Sequence, residues 1–299
     1  MKRVIVTGAN GFIGSSLIKK LVANNIEVVA IDITFIGDHL PVSNFITKVV
    51  SGVDFSLSDK IPAGEYDALY HLAWRGVNGS EKADPTIQLT NIQMAIDCAN
   101  ICKKLGVKKY LCAGTVAENA TLSLSNLEKT SGGMMYGVAK HACRIIVEDY
   151  CKNIGQDFVW MQFSNIYGVG NRTGNLVSYT LGKLLAGKEA TFGPALQLYD
   201  FIYVDDLIEA VYRLGVHETN KSFYYIGSGS PRQLKEYLLR IGELAGYADK
   251  VCIGIRPDDG IKYNQEMFCN KDLVDAIGVY VSTDFNSGII KTISWLKSL

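Results

Sequence analysis

The chain has 299 residues, enough for one or two domains. Hydrophobic residues make up 48% and charged residues 20%, the balance of a soluble globular protein with a sizeable core. Lys and Arg number 30 and Asp and Glu 30, with no basic tract, so neither nucleic acid nor a membrane is an expected partner.

The opening MKRVIVTG sets two basic residues before a short apolar run, too little for a signal-peptide core. No apolar run approaches the ~20 residues of a membrane span. The seven cysteines are odd in number and include no C-x-x-C pair and no grouping at metal spacing. Reduced thiols in a cytoplasmic protein without a metal site are the expectation.

In chain order, RVIVTG is a short β-branched run ending in glycine, and FIGSSLIKKLVANN follows with helical spacing of Ile13, Leu17 and Leu21. EVVAIDI is a second strand, and ALYHLA and KKYLCAG are compact apolar strands. Between those two, PTIQLTNIQMAIDCANICKKLG reads as a long helix stopped by Gly106. A helix from about 136 to 153 leads to the strand DFVWMQF. This alternation predicts an α/β fold, a Rossmann-type doubly wound parallel sheet with helices on both faces. After about residue 168 the pattern loosens into turn-rich stretches, though FIYVDDLIEAVYRLG reads as a strand fragment running into a helix. Residues 1–168 are expected to form a dinucleotide-binding domain and 169–299 mainly a smaller, mixed substrate-binding lobe, with later segments able to rejoin the sheet.

TGANGFIG places Gly8, Gly11 and Gly14 three apart between a strand and a helix, with Asn10, Phe12 and Ile13 among them. Gly8 permits a tight turn, Gly11 lets the backbone approach a pyrophosphate, and Gly14 lets helix pack on strand. The helix N-terminus offers N–H groups and a positive dipole end to phosphates. Asp32, 18 residues past Gly14 at the end of strand two, can accept both adenosine ribose hydroxyls and repels a 2′-phosphate. NAD is therefore the expected cofactor, with NADP the less favoured alternative. Asp54, after the third strand, is a candidate for the adenine amino group.

With TGANGFIG, Asp32, DALYHLA, Thr115 and Tyr136-x-x-x-Lys140 in this order, the chain resembles the extended short-chain dehydrogenase/reductase family. More narrowly it resembles the branch of nucleotide-sugar epimerases, dehydratases and ketoreductases. The resemblance continues through FSNIYGVG, DFIYVDDL and YYIGSG. It implies that Tyr136 is the general acid/base, that Lys140 lowers its pKa and binds the nicotinamide ribose, and that the Thr115 hydroxyl bonds the reacting sugar oxygen. It places the backbone at Leu72 and Ala73 against the cofactor, leaves His71 structural, and makes Asn91 a holder of active-site backbone. Asn165 matches a substrate contact.

Hydride transfer at a sugar carbinol, with the proton moved by Tyr136, is the shared chemistry the resemblance implies. A 4,6-dehydratase carries an Asp-Glu pair after the Thr; here Val116 and Ala117 follow, and Glu118 comes one position late. That disfavours a dehydratase and leaves an NAD-retaining 4-epimerase, slightly preferred, and an NAD(P)H-dependent ketoreductase. A non-catalytic dinucleotide sensor is the remaining alternative. Two family arginines are missing: Tyr199 stands before DFIYVDD and Gln162 before the NIYG motif. A charged hydrogen bond is worth about 1.5–3 kcal/mol, so another cation is needed to grip a diphosphate, with Arg172, Arg232 and Arg256 as candidates. The resemblance implies a homodimer through the helices over about 86–105 and 136–153; a monomeric mass in solution scattering would overturn this.

Overall fold

The structure is a computed structural model that describes residues 1–258 and 260–299. Its first half follows the alternation of the sequence. Strand β1 (Arg3–Thr7) runs into helix α1 (Phe12–Ala23), then β2 (Glu27–Asp32), β3 (Ile46–Val50) and β4 (Ala68–His71). Helix α2 (Pro85–Leu105), β5 (Lys109–Thr115), α3 (Gly132–Ile154) and β6 (Asp157–Phe163) complete the unit. Asp84 caps α2 by accepting from the Thr86 and Ile87 N–H groups, and Gly106 ends it at φ +66°.

Helix α3 begins at Gly132, four residues before the expected start near Tyr136. Two glycines are poor helix formers, yet Met134 in this first turn is buried at 3% exposure. Farther along lie α4 (Leu176–Leu185), α5 (Val204–Val216), β7 (Phe223–Ile226), α6 (Leu234–Ala245), α7 (Lys271–Ile277) and α8 (Phe285–Lys297).

The seven strands form one sheet in the order β7-β6-β5-β4-β1-β2-β3, all parallel. The period-two alternation of β1 divides the core between the two faces. Val4 and Val6 pack with Leu17, Leu21, Val211 and Leu214 of α1 and α5. Ile5 packs on the other face with Cys98, Cys102, Cys143 and Val147 of α2 and α3. The order reverses between β1 and β4, the switch point where such sheets open a crevice at the carboxyl ends of their strands. Residues beyond 168 add the edge strand β7 and two short two-stranded pairs, and a third pair joins Phe201–Tyr203 to Asn165–Tyr167. Asp206, buried in α5, anchors the C-terminal segment by accepting from the Ser282 and Thr283 N–H groups, both at 3.0 Å. Among the described residues no helix is long and apolar enough to cross a membrane.

Candidate active site

A cleft of about 620 Å³ lies at the carboxyl ends of the strands, reaching from the Gly8–Gly14 turn past Asp32 to Tyr136 and Asn165. Gly8 takes φ +68°, and a Cβ there would stand 2.7 Å from the Ala73 backbone nitrogen. Gly14 is tighter still, since its Cβ would lie 2.1 Å from the Gly8 carbonyl oxygen. These two glycines let strand, helix and the β4 loop meet. Gly11 caps α1 without a side-chain hydrogen bond, and Gly11, Phe12, Ile13 and Gly14 all line the cleft. The first-turn N–H groups thus form a site for an anion.

Asp32 lines the cleft and accepts the Asn10 N–H at 2.9 Å through Oδ2. Asn10 itself acts as a staple: its Nδ2 donates to the carbonyls of Thr34 and Ile36, and its Oδ1 accepts from the His39 N–H. That pins the loop after β2. Asp54 does not line the cleft. It is exposed and caps the 3-10 turn Phe55–Asp59 by accepting from the Ser56 N–H at 2.8 Å, while Ser51, Gly52 and Val53 form the wall.

The loop after β4 carries Leu72, Ala73 and Trp74 into the cleft. Asn91 clamps it, accepting from the Arg75 N–H and donating to the Arg75 carbonyl, both at 2.8 Å. His71 is 1% exposed beneath, its Nδ1 bonded with Thr7 Oγ1 at 2.8 Å. Burial, aided by the charge of Lys140, pushes its pKa down to about 3 from 6.5. The folded His71 is therefore neutral, while the unfolded chain takes up a proton below pH 6.5. Stability then falls as pH drops from 6.5 toward 3. We expect the urea midpoint to decline between pH 7 and pH 5, and the decline to flatten in His71→Asn; an undiminished slope in that variant would refute the assignment.

Thr115 ends β5 and Tyr136 and Lys140 sit a turn apart on α3. Tyr136 is half-buried on the cleft wall; Thr115 and Lys140 stand behind that wall. Burial raises the Tyr136 pKa above the usual tyrosine value, while a hydrogen bond with the Thr115 hydroxyl lowers it and Glu118 raises it. Lys140 is buried and donates to the Ala113 carbonyl at 2.6 Å; burial draws its pKa down. Glu118 points inward, accepting from the Thr115 N–H at 2.7 Å, from Trp160 Nε1 at 3.1 Å and from Gln162 Nε2 at 3.3 Å. Gln162 is therefore spent on this inner network. Val116 packs with Tyr225 and Phe268 in a small apolar cluster.

On the far side, Asn165 lines the cleft and its Nδ2 donates to the Asp200 carbonyl at 3.1 Å. Asp200 is fully buried and accepts from Tyr225 Oη at 2.6 Å and from the Gly229 N–H at 3.1 Å, which joins three chain segments behind the wall. Tyr199, Arg172, Arg232 and Arg256 lie off the cleft wall. Tyr199 packs against the rings of Phe201 and Tyr263, with Arg232 directly opposite it in a short antiparallel pair. Arg256 donates to Tyr179 Oη at 2.6 Å and to Thr191 Oγ1 at 3.1 Å. Three residues went unread in the sequence. Gln88 and Trp74 form a hydrogen-bonded pair, and Lys82 sets its Nζ 5.1 Å from the Tyr136 ring centroid. Only long-range packing brings them to the site.

The family model described as NAD dependent epimerase/dehydratase family matches residues 4–227. A putative UDP-glucose 4-epimerase of Methanocaldococcus jannaschii is 23% identical over 99% of this chain and 98% of its own. The crystal structure of a UDP-glucose 4-epimerase from Thermotoga maritima, solved with UDP-glucose, superposes with a TM-score of 0.80 at 20% identity, covering 99% of each chain. A dTDP-glucose 4,6-dehydratase from Streptomyces venezuelae, solved with NAD bound, gives 0.81 at 21% identity over 99% of this chain and 97% of that one.

Proposed function

The chain belongs to the NAD dependent epimerase/dehydratase family, and we propose that it is a nucleotide-sugar epimerase acting at a sugar carbinol carbon, C4, with Tyr136 as acid and base. The cleft fits the dinucleotide. A Cβ at Gly14 or Gly8 would collide with backbone, α1 opens on the cleft without a cap, and Asp32 stands at one end. We assign the pyrophosphate to the Gly11–Gly14 turn and the adenosine ribose to Asp32, and leave Lys140, buried beneath the Trp74 ring, to support Tyr136. Leu72 and Ala73 would bound the ring on the β4 side.

When bound, NAD supplies the hydride acceptor and donor for the sugar carbon. The residues handle the proton and the geometry. Tyr136 takes the proton from the C4 hydroxyl and returns it to the C4 oxygen of the ketone, and the Thr115 hydroxyl holds that oxygen in place. To serve as a base the phenol would need the Lys140 ammonium to offset the rise that burial and Glu118 impose. Asn165 would contact the sugar nucleotide. Tyr199, Arg172, Arg232 and Arg256 all lie off the wall, so the diphosphate grip is assigned to none of them.

The observation that carries this proposal is the placement of Tyr136 on the wall of a cleft whose other end is the glycine turn, with Lys140 one turn further along the same helix. Two facts favour epimerisation over dehydration. Val116 is packed in an apolar cluster, and Glu118 has a fully buried side chain turned toward Trp160 and Gln162. The exposed Leu89, Ile145 and Ile146 on α2 and α3 support a homodimer through those helices.

Mass spectrometry of the nucleotide released on denaturation tests the proposal. Retained stoichiometric NAD is expected, since an epimerase recycles its cofactor in place. A protein that purifies empty and takes up NADH or NADPH reversibly would be a ketoreductase instead, and a preference for NADPH would overturn the assignment of Asp32.

A further inference from the structure

Lys140 is only 4% exposed. A lysine this deep ordinarily has a carboxylate beside it. Among the described residues Lys140 has no ion pair. Glu118, the carboxylate that acts on it through space, is instead paired with Arg144 at 3.8 Å. The ammonium has two other partners. Its Nζ donates to the Ala113 carbonyl at 2.6 Å and lies 3.6 Å from the centroid of the Trp74 ring; the Trp160 ring is farther, at 5.8 Å. The indole cannot rotate at will. Its Nε1 donates to Gln88 Oε1 at 2.9 Å, and the buried Gln88 is fixed in turn by donating through Nε2 to the Gly76 carbonyl at 3.0 Å. The same indole meets Tyr136 edge-on, with ring centroids 6.2 Å apart.

We propose that Trp74, oriented by Gln88, is a positioning residue for Lys140, its π-face standing in for a counter-ion and holding the ammonium against the Ala113 carbonyl on the Tyr136 side of the site. The proposal rests on the roles given above to Tyr136 and Lys140. The physical case is one of charge. A cation over an indole face is attracted by the ring quadrupole, most strongly where water is excluded. A carboxylate would also keep the lysine protonated, but its own negative charge would cancel much of the field that the phenol feels. The indole carries no net charge, so it adds no negative field of its own at Tyr136.

The titratable groups facing Lys140 are Cys112 of β5, Cys143 of α3, Glu118, and His71 of β4. All four are unchanged in the test variants. Full-length protein is labelled with ¹³Cε-lysine, and the Lys140 resonance is identified by its loss in Lys140→Arg. Wild type, Trp74→Phe and Trp74→Leu are then titrated and assayed for reduction of bound NAD by UDP-glucose. In Trp74→Leu the Lys140 midpoint should fall by about one pH unit and the rate of reduction by about tenfold. Trp74→Phe, which keeps a π-face but not the bond to Gln88, should hold its midpoint closer to wild type. A midpoint unmoved in Trp74→Leu, or Phe as damaging as Leu, would overturn the proposal. Should Trp74→Leu fail to fold, Trp74→Met makes the same comparison. If UDP-glucose does not reduce bound NAD even in the wild type, the substrate assignment is what fails. The lysine titration needs no turnover and still decides the role of Trp74.

Discussion

Tyr136→Phe should lower turnover by about 10³-fold, within the range that a positioned acid/base contributes, and leave NAD bound. The variant removes one oxygen and keeps the ring that stands edge-on to Trp74 and beneath Lys82. The Thr115 hydroxyl retains its bond from the Ala117 N–H, so no buried polar group is stranded. Folding should therefore match wild type to within about 0.5 kcal/mol. Nothing on the glycine turn or at Asp32 is touched, so nucleotide released on denaturation should be unchanged. The measurement is a pair of assays on one preparation, turnover of the sugar nucleotide and bound NAD by mass spectrometry. Turnover within tenfold of wild type would remove Tyr136 from the mechanism. Full cellular function in a strain carrying only the Phe variant would favour a dinucleotide sensor over an enzyme.

The largest effect on stability is expected at Gly14. An added Cβ would lie 2.1 Å from the Gly8 carbonyl oxygen, 2.9 Å from its carbon and 3.0 Å from the Ala9 Cα. All three are backbone atoms, so no side chain can swing aside. Relief requires moving the turn that joins β1 to α1, in the middle of the sheet. Overpacking of a rigid site costs about 1–3 kcal/mol or more, and Gly14→Ala should fall at or beyond the upper end, read as a lowered urea midpoint. Gly11→Ala makes the contrast. Its Cβ would meet only the Gly8 oxygen, at 3.2 Å, so folding should change little while dinucleotide binding weakens. Equal stability of Gly14→Ala and wild type would show that the turn relaxes freely.

These positions also show what the sequence could tell. The glycine triplet, Asp32 and the Tyr–Lys spacing are legible because a turn, a strand end and one face of a helix are set by local sequence, while the roles proposed for Tyr136 and Lys140 came from the family resemblance. Asn91 was marked only by the resemblance, and its partner proves to be the loop that immediately precedes its helix. Asp54 sits where spacing suggested, but an Asp two residues before a serine N–H finds a nearer use as a cap. Gln88 and Trp74 pair across the same loop and helix but belong to no motif, and Lys82, on the 3-10 turn Ser80–Ala83, meets the Tyr136 ring only once α3 packs against that turn. Strand β7 is a similar case. Its pairing with β6 joins residues some 60 positions apart, as in Phe223 with Trp160, and no periodicity within either segment announces it.

The strand order has a consequence for how the chain is made. β1 is synthesised first, yet it ends up in the interior of the sheet, flanked by β2 and β4. Its β2 side is covered once residues 27–31 have emerged, but its other edge stays bare until residues 68–71 arrive. Parallel neighbours cannot be supplied by a hairpin, so each must wait for an entire crossover. A nascent chain halted between those points leaves the backbone N–H and C=O groups of residues 4–7 unpaired along an open edge, the kind of template that invites pairing with another chain. Ribosomal pausing in that interval is thus a hazard for yield, wholly separate from the stability of the finished protein.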